Sequence, residues 1–269
     1  MTASLSEKHS ERYSRQLMIE GFDEEAQQSL LDGRVLVVGA GGLGSAAIQY
    51  LAAAGVGTIG IADGGQVKLS NLQRQVIHQT GTLGEAKVDS ARRYVNALNP
   101  DIEVTIHDQT IIADVAPSII ESYDVVIDGL DNFRGRFLLN DVARLADIPF
   151  VHGAIFGFEG QATVFVPDGP CYRCLLPGIP DDDQFPSDEP IGIFPTLPGI
   201  IGCIEATEAI KYLIDVGELL DGRLLRFDGL DGTFVTSPIE PRAACPVCGD
   251  DPIETIDAVD YDGDCRVRR

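Results

Sequence analysis

The 269-residue sequence predicts an α/β fold built on a doubly wound, mostly parallel sheet. The first observation is that short apolar segments alternate with helical ones between residues 35 and 154, as in strands joined by crossover helices. The second is that residues 161–166 alternate between polar and apolar side chains, as a strand of an antiparallel sheet does. The expected sheet is therefore parallel in its first part and has an antiparallel extension.

The first strand–helix–strand unit surrounds a glycine-rich turn. An apolar strand over residues 35–38 runs into the turn, and helix 45–54 and strand 58–62 follow it. The turn has the spacing G-x-G-x-x-G, which lets the backbone approach nucleotide phosphates at the start of a helix. The unit therefore predicts a Rossmann-like nucleotide-binding sheet. The glycines of the turn are Gly39, Gly41, Gly42 and Gly44.

Residues beyond this unit separate two classes of nucleotide. Asp63 ends the second strand, where an acid is suited to bind a ribose hydroxyl. Arg74 and Lys87 add two cations in the following segment of a chain that is poor in lysine. A dinucleotide is held mainly by backbone amides, whereas a triphosphate that loses pyrophosphate requires positive charge at the leaving group. The sequence thus favours ATP, and an NAD-dependent oxidoreductase is the less favoured alternative.

The remaining elements continue the same pattern. Strand 124–128 runs into Asp131, whose carboxylate is a candidate Mg²⁺ ligand. Residues 177–198 are rich in proline and predict a surface loop. Residues 254–269 are expected to form a disordered acidic tail. The other predicted elements are helices 86–98 and 203–213, strands 104–107, 150–154 and 161–166, and a hairpin of residues 224–227 and 233–236.

Six cysteines fall into two C-x-x-C pairs and two single residues. Two such pairs supply the four thiolates of a tetrahedral structural Zn²⁺ site, and this interpretation is favoured over disulfides. A site filled by four protein ligands has no open position for a substrate, so the metal is expected to stabilise the fold. The pairs are Cys171 with Cys174 and Cys245 with Cys248, and Cys203 and Cys265 are left over.

Composition restricts the partners. The formal net charge is −22, which disfavours nucleic acid and anionic membranes. The acidic excess is typical of a solvating shell, either for simple solubility or for high salt. The first 16 residues lack the apolar stretch of a signal peptide, so the chain is expected to be cytoplasmic. Residues 35–62 carry little charge, but their glycines fit the nucleotide unit better than a membrane span.

These motifs resemble the MoeB/ThiF/HesA family of ubiquitin-activating-enzyme-like adenylyltransferases, including its archaeal UbaA type. The likeness covers nearly the whole chain and follows the family's motif order. It implies a single ThiF-type adenylation domain over residues 8–253, with residues 177–198 as a crossover loop. The motifs are Arg12-Tyr13-Ser14-Arg15-Gln16, the GAGGLG turn, Ser70-Asn71-Leu72-Gln73-Arg74-Gln75, Lys87, Asp131-Asn132 with Arg136, Phe158-Glu159-Gly160-Gln161, and both cysteine pairs.

The resemblance implies an activity and partners. Family members bind ATP and Mg²⁺, and they adenylate the C-terminal Gly-Gly carboxylate of a small ubiquitin-fold sulfur carrier. A homodimer is implied, in molybdopterin or thiamine synthesis, tRNA thiolation or protein conjugation. The implied catalytic residues are Arg15, which reaches the neighbouring subunit's phosphates in family homodimers, Arg74, Lys87 and Asp131. The implied nucleotide residues are Gly39, Gly41, Gly42, Gly44, Asp63, Ser70, Asn71, Leu72, Gln73, Arg74, Lys87, Asp131 and Asn132.

The absence of a recognisable catalytic base agrees with this chemistry. A C-terminal carboxyl is already ionised at neutral pH and needs no proton removed before it attacks. His78 and His152 are therefore expected to be structural.

One departure concerns thiol chemistry. Members that form a thioester carry a cysteine where this chain has Asp188. Cys203 is expected to be core packing, and Cys265 lies outside the resemblance. The missing thiol leaves a second alternative open, a non-catalytic nucleotide-binding partner of an activating enzyme.

Overall fold

The fold was analysed in a computed structural model, which describes residues 5–180, 192–261 and 263–267. Eight strands form one continuous sheet. They are β1 (Arg34–Val38), β2 (Thr58–Ala62), β3 (Glu103–His107), β4 (Val125–Asp128), β5 (Phe150–Phe156), β6 (Glu159–Phe165), β7 (Arg223–Asp228) and β8 (Thr233–Pro238).

Helices cover both faces of this sheet. A short 3-10 helix, Leu69–Asn71, lies between β2 and α4. The α-helices of the described residues are α1 (Glu7–Arg12), α2 (Glu24–Asp32), α3 (Gly42–Ala54), α4 (Lys87–Leu98), α5 (Ala116–Ile120), α6 (Phe133–Leu145), α7 (Tyr172–Leu175) and α8 (Leu197–Ile214).

The strand order is β3-β2-β1-β4-β5-β6-β7-β8. Neighbouring strands from β3 to β5 are parallel, and those from β5 to β8 are antiparallel. The chain winds outward from β1 to β3 and then returns to the other side of β1 with β4. This arrangement confirms the predicted doubly wound, mostly parallel sheet with an antiparallel extension.

The alternation of side chains along β1 divides the core into two layers. Val35 and Val37 pack in one layer with residues of α3, α4 and α8. Leu36 and Val38 pack in the other layer with residues of α5 and α6. Because both faces are covered, the central strands are mostly apolar, as is typical of parallel sheets.

Two helices begin earlier than the sequence pattern indicated. Helix α3 starts at Gly42, three residues before the predicted start, because the glycine-rich turn itself supplies the first helical residues. Helix α8 starts at Leu197, within the stretch predicted as loop. Pro198 lies in its first turn, where a missing N–H removes no intrahelical hydrogen bond. Part of the predicted loop, including Asp188, lies outside the described residues.

The described part of the C-terminal segment is ordered against the rest of the chain. Val259 and Cys265 are buried in the same core layer as α6. The Tyr261 hydroxyl donates a hydrogen bond to the Asp141 carboxylate at 2.7 Å. This differs from the disorder expected for residues 254–269, because apolar and polar side chains among the acidic ones find partners in α6.

None of the helices in the described parts of the chain combines the length and apolar character that crossing a membrane requires.

Candidate nucleotide site and cysteine cluster

The predicted nucleotide residues lie at the carboxyl ends of β1, β2 and β4. Val38 is the register partner of both Ala62 and Asp128, the last residues of β2 and β4. Gly39 and Asp63 therefore leave the sheet side by side. The strand order reverses between β1 and β4, and the crevice at such a reversal is where open α/β sheets bind ligands.

The glycine-rich turn is closely packed against the backbone. Gly39 has φ +101°, and a Cβ there would meet the carbonyl oxygen of Gly129. A Cβ at Gly44 would in turn meet the carbonyl oxygen of Gly39. The turn ends at the first turn of α3, where Gly41 is the N-cap and makes no side-chain capping hydrogen bond. The leading amides of α3 are suited to bind an anion such as a phosphate.

Asp63 connects this turn to a lysine. Its Oδ2 accepts the Ala40 N–H at 2.9 Å, and its Oδ1 accepts the Gly65 N–H at 2.7 Å. Lys87, the first residue of α4, places its Nζ 3.3 Å from Asp63 Oδ2. The lysine side chain is 15% exposed and the aspartate side chain 13%. The ammonium group of Lys87 is thus held close to the phosphate-binding turn.

Arg74 is brought to the same turn. A Cβ at Gly42 would lie 3.5 Å from Arg74 Cγ, so the arginine stem lies beside the start of α3. Its guanidinium Nη1 donates to the Ser70 carbonyl oxygen at 3.2 Å. The Asn71 side chain accepts the Lys68 N–H at 3.1 Å and so stabilises the 3-10 helix. In the same segment, Ser70 and Gln73 are exposed and Leu72 is half-buried.

The loop after β4 carries the predicted magnesium ligand. Asp131 is exposed to solvent at the mouth of the crevice. Asn132 has a local structural role, because its Oδ1 accepts the Gly135 N–H at 2.8 Å and caps α6. Arg15 is exposed, and its side chain contacts Met18 Sδ at 3.9 Å. Within the described residues of a single chain, Arg15 makes no contact with the other predicted site residues.

Sequence reasoning missed a clamp on the backbone of Leu130, the residue before Asp131. Asp128 Oδ1 accepts the Leu130 N–H at 3.0 Å, and Arg136 Nη2 donates to the Leu130 carbonyl at 2.7 Å. Asp128 Oδ2 also accepts from Arg136 Nε at 3.1 Å and from His152 Nδ1 at 2.7 Å. Asp128 and His152 are fully buried. An acid at the end of an otherwise apolar strand was the signal available in the sequence.

The His78 side chain contacts the backbone of the glycine-rich turn. Its Nε2 lies 2.9 Å from the Ala40 carbonyl oxygen, and its Nδ1 lies 2.9 Å from Ser90 Oγ. Burial lowers the pKa of His78, so the neutral ring donates from Nε2 and accepts the serine hydroxyl at Nδ1. The expectation that His78 is structural agrees with these contacts.

The four paired cysteines meet at one place. Their Sγ atoms all lie within 4.8 Å of one another. Four sulfurs around Zn²⁺ at a bond length of about 2.3 Å are separated by about 3.8 Å, so the cluster fits a tetrahedral metal site. The ligand set is Cys171, Cys174, Cys245 and Cys248.

Arg173, between the first two cysteines, fixes this cluster to α6. Its guanidinium makes a bidentate ion pair with Asp141, with distances of 2.8 and 2.6 Å. Its Nη1 also donates to the Cys265 carbonyl oxygen at 2.9 Å. The C-terminal segment, the cysteine cluster and α6 thus share one buried ion pair.

The model of the ThiF family matches residues 13–247. The chain belongs to the ThiF family. It is 48% identical over 267 residues to "SAMP-activating enzyme E1" of Haloferax volcanii, covering 99% of both chains. It is 41% identical to "Sulfur carrier protein adenylyltransferase" of Thermus thermophilus, covering 96% of this chain and 97% of that protein.

A solved structure shares the fold of this ThiF family chain. The crystal structure of Escherichia coli MccB with ATP has a TM-score of 0.80. The likeness covers 89% of this chain and 75% of MccB at 21% sequence identity. At that identity the comparison shows the common architecture, and the site must be argued from the residues of this chain.

Proposed function

We propose that this chain catalyses the ATP-dependent adenylylation of the C-terminal Gly-Gly carboxylate of a ubiquitin-like sulfur-carrier protein. The carboxylate oxygen attacks the α-phosphorus of ATP, the bond to the β-phosphate breaks, and pyrophosphate leaves. The observation that carries the proposal is the convergence of the glycine-rich turn, the Asp63–Lys87 pair and Arg74 at one edge of the sheet. The names of the two curated relatives point to the same activity.

Each feature of the crevice has a role in this reaction. The free amides of α3 bind phosphate oxygens, and Lys87 and Arg74 offset the negative charge that develops on the leaving pyrophosphate. Asp63 is placed to accept a ribose hydroxyl while it orients Lys87. Asp131, exposed at the mouth, is the carboxylate that would hold Mg²⁺. The attacking carboxylate is ionised at neutral pH, so no general base is required.

The two other candidate functions account for less of the site. An NAD-dependent oxidoreductase would leave the cations at the crevice without a task. A non-catalytic partner would bind ATP but would have no leaving pyrophosphate for Lys87 and Arg74 to stabilise.

The proposed assembly is a homodimer. Arg15 is exposed on the same surface segment as Met18 and Ile19, which are 74% and 58% exposed. A second chain seated on this segment would cover the apolar side chains and bring Arg15 to its neighbour's phosphates. Sedimentation of the chain as a monomer at assay concentrations would contradict this arrangement.

The proposed metal of the cysteine cluster is zinc. Its four thiol ligands leave no open position, so the metal would hold α7 to the C-terminal part of the chain and take no part in adenylylation.

ATP–pyrophosphate exchange tests the proposed function. Labelled pyrophosphate should enter ATP when Mg²⁺ and a ubiquitin-like carrier ending in Gly-Gly are present. The same carrier lacking its last two glycines is the matched control and should support no exchange. Tight binding of ATP with no exchange for any carrier would favour the non-catalytic partner, and binding of NAD in preference to ATP would favour the oxidoreductase.

A further inference from the structure

Helix α8 carries a buried carboxyl group that has no partner. Glu205 is 0% exposed, and neither of its carboxyl oxygens makes a hydrogen bond within the described residues. The group fills the space left by a missing side chain on β5. A Cβ at Gly153 would lie 2.5 Å from the Glu205 Cδ and 2.6 Å from Oε1. The carboxyl is therefore packed directly against the sheet backbone.

This position is close to the candidate nucleotide site. Asp128 at the end of β4 is the register partner of His152, so Gly153 lies one residue beyond the last pair. Glu205 thus reaches the sheet at the edge from which the Asp131 loop departs. It lies on the α8 face, whereas Asp128 and His152 belong to the α6 face.

Within the described residues, few charged groups surround Glu205. Among them, Asp128 of β4 and Arg136 of α6 are the charges whose fields act on it. Helix α3 carries no charged side chain, and the stretch of β6 that packs on α8, residues 160–165, carries none either. His152 of β5 is neutral, because burial lowers its pKa. On α8 itself, Glu208 and Lys211 pair with each other at 2.7 Å.

The charge balance of this region is complete without Glu205. Asp128 and Arg136 neutralise each other, and together they hold the N–H and the carbonyl of Leu130. An ionised Glu205 would add a buried charge with no partner, which is strongly unfavourable. It would also repel Asp128 and attract Arg136. Burial, with the nearby Asp128 charge, raises the pKa of Glu205 well above its usual value.

We propose that Glu205 is a positioning residue that works only in its protonated form. Its neutral carboxyl packs over Gly153 at the edge of the sheet from which the Asp131 segment departs, and an ionised group would leave that contact for water and loosen this edge. The group keeps the space over Gly153 filled without contributing charge. The expected effect of Glu205 on Mg·ATP binding rests on the proposed function, whereas the expected protonation of Glu205 does not.

The first test compares two substitutions on the same helix, Glu205→Gln and Glu208→Gln. An acid with a raised pKa in the folded state costs stability as pH rises from its unfolded pKa of about 4.3. Glu205→Gln removes this cost, so its melting temperature should match the parent near pH 4 and exceed it by roughly 3 °C or more at pH 8. Glu208→Gln should be less stable than the parent at pH 8, because it breaks the pair with Lys211. A Glu205→Gln variant that is less stable than the parent at pH 8 would overturn the proposal.

The second test reads the proton directly. The infrared difference spectrum of the parent minus Glu205→Gln at pH 7 should contain the carbonyl band of a protonated carboxylic acid. Carboxylate bands in its place would overturn the proposal, whatever the protein's activity.

The third test concerns positioning. The affinity of the parent for Mg·ATP should fall several-fold on the alkaline side, and this fall should be absent in Glu205→Gln. Parallel profiles in the two proteins would reduce Glu205 to a packing residue and contradict the positioning role. All three measurements are made without a carrier protein, so a failure of the proposed adenylylation is distinguishable from a failure of this inference.

Discussion

At the scale of single residues, the pair of Asp63 and Lys87 holds the centre of the candidate site. The aspartate accepts hydrogen bonds from the turn after β1 and from Gly65, and its Oδ2 also lies 3.3 Å from the Lys87 ammonium. One carboxylate thus orients both the phosphate-binding backbone and the cation beside it. Binding of a triphosphate would give Lys87 a second anionic partner without moving it far from the first.

We predict that Lys87→Ala lowers the rate of ATP–pyrophosphate exchange by roughly 100-fold or more, because it removes a preorganised cation from the leaving group. Lys68→Ala is the matched control, since Lys68 is exposed and its contact in the 3-10 helix uses the backbone N–H. Lys87→Arg should not restore the full rate, because a planar guanidinium does not replace a compact ammonium. Exchange that is equal in Lys87→Ala and Lys68→Ala would show that Lys87 has no role in the reaction.

A second prediction concerns the thiols outside the cluster. From the family resemblance we expect Asp188 to stand where thioester-forming members carry cysteine, and a carboxylate there cannot form a thioester. Cys265 is buried, and burial raises the pKa of Cys203 on α8. The enzyme should therefore stop at the acyl-adenylate. A denaturing gel of enzyme, ATP and carrier should show no band that a reducing agent removes; such a band, lost in Cys203→Ala or Cys265→Ala, would contradict this.

At the scale of elements, α6 and α7 assemble the cysteine cluster. Arg173 points away from the four sulfurs and into α6, where Asp141 holds both arms of its guanidinium. The ion pair thus fixes the first cysteine pair to α6, and contacts between the sulfur atoms join the second pair to the first.

Cys174→Ser should therefore lower stability rather than catalysis alone. A structural zinc site contributes on the order of 10 kcal/mol of apparent binding energy, which is also folding energy. We expect loss of zinc by elemental analysis and aggregation or a much lower melting temperature. Cys203→Ser, on α8 and outside the cluster, is the control and should retain about one zinc per chain. Zinc-free native protein prepared without chelators would refute the assignment.

Arg173→Lys tests the link between α6 and the C-terminal segment. Lysine cannot make the bidentate contact with Asp141 and also reach the Cys265 carbonyl, so the variant should lose about 1–3 kcal/mol of unfolding free energy in chemical denaturation. Arg266→Lys is the control, because the side chain of Arg266 is 84% exposed in its pair with Asp264. This substitution should leave the unfolding free energy unchanged. Equal stability of the two variants would show that the buried ion pair contributes little.

At the scale of the whole molecule, the sequence predicts the sheet and the edge where the site lies. Strand and helix periods, the glycine spacing and the paired cysteines are local signals, and the elements they predict are present, although α3 and α8 begin earlier than predicted. The Asp128–Arg136 clamp and the burial of Glu205 were not predicted, since they depend on which strands become neighbours. The order of the C-terminal segment was not predicted for a similar reason. Its acidic composition indicated disorder, whereas a few residues such as Tyr261 make contacts with α6 that depend on the fold.

The fold also explains why the candidate nucleotide site and the cysteine cluster are separate in this protein. The nucleotide residues follow the carboxyl ends of parallel strands, whereas Cys171 follows the end of antiparallel β6, which points to the opposite edge of the sheet. A change at the cysteine cluster should therefore act on the site through stability alone.

The most direct measurement of the central claim is the mass of the carrier protein after one turnover. Enzyme, Mg·ATP and a ubiquitin-like carrier ending in Gly-Gly are mixed, quenched in acid and analysed by intact-protein mass spectrometry. We expect a carrier that has gained one adenylyl group at its C-terminus, and no gain for a carrier that lacks the two glycines. A carrier of unchanged mass, in the presence of enzyme that binds ATP and retains its fold, would contradict the proposed adenylylation.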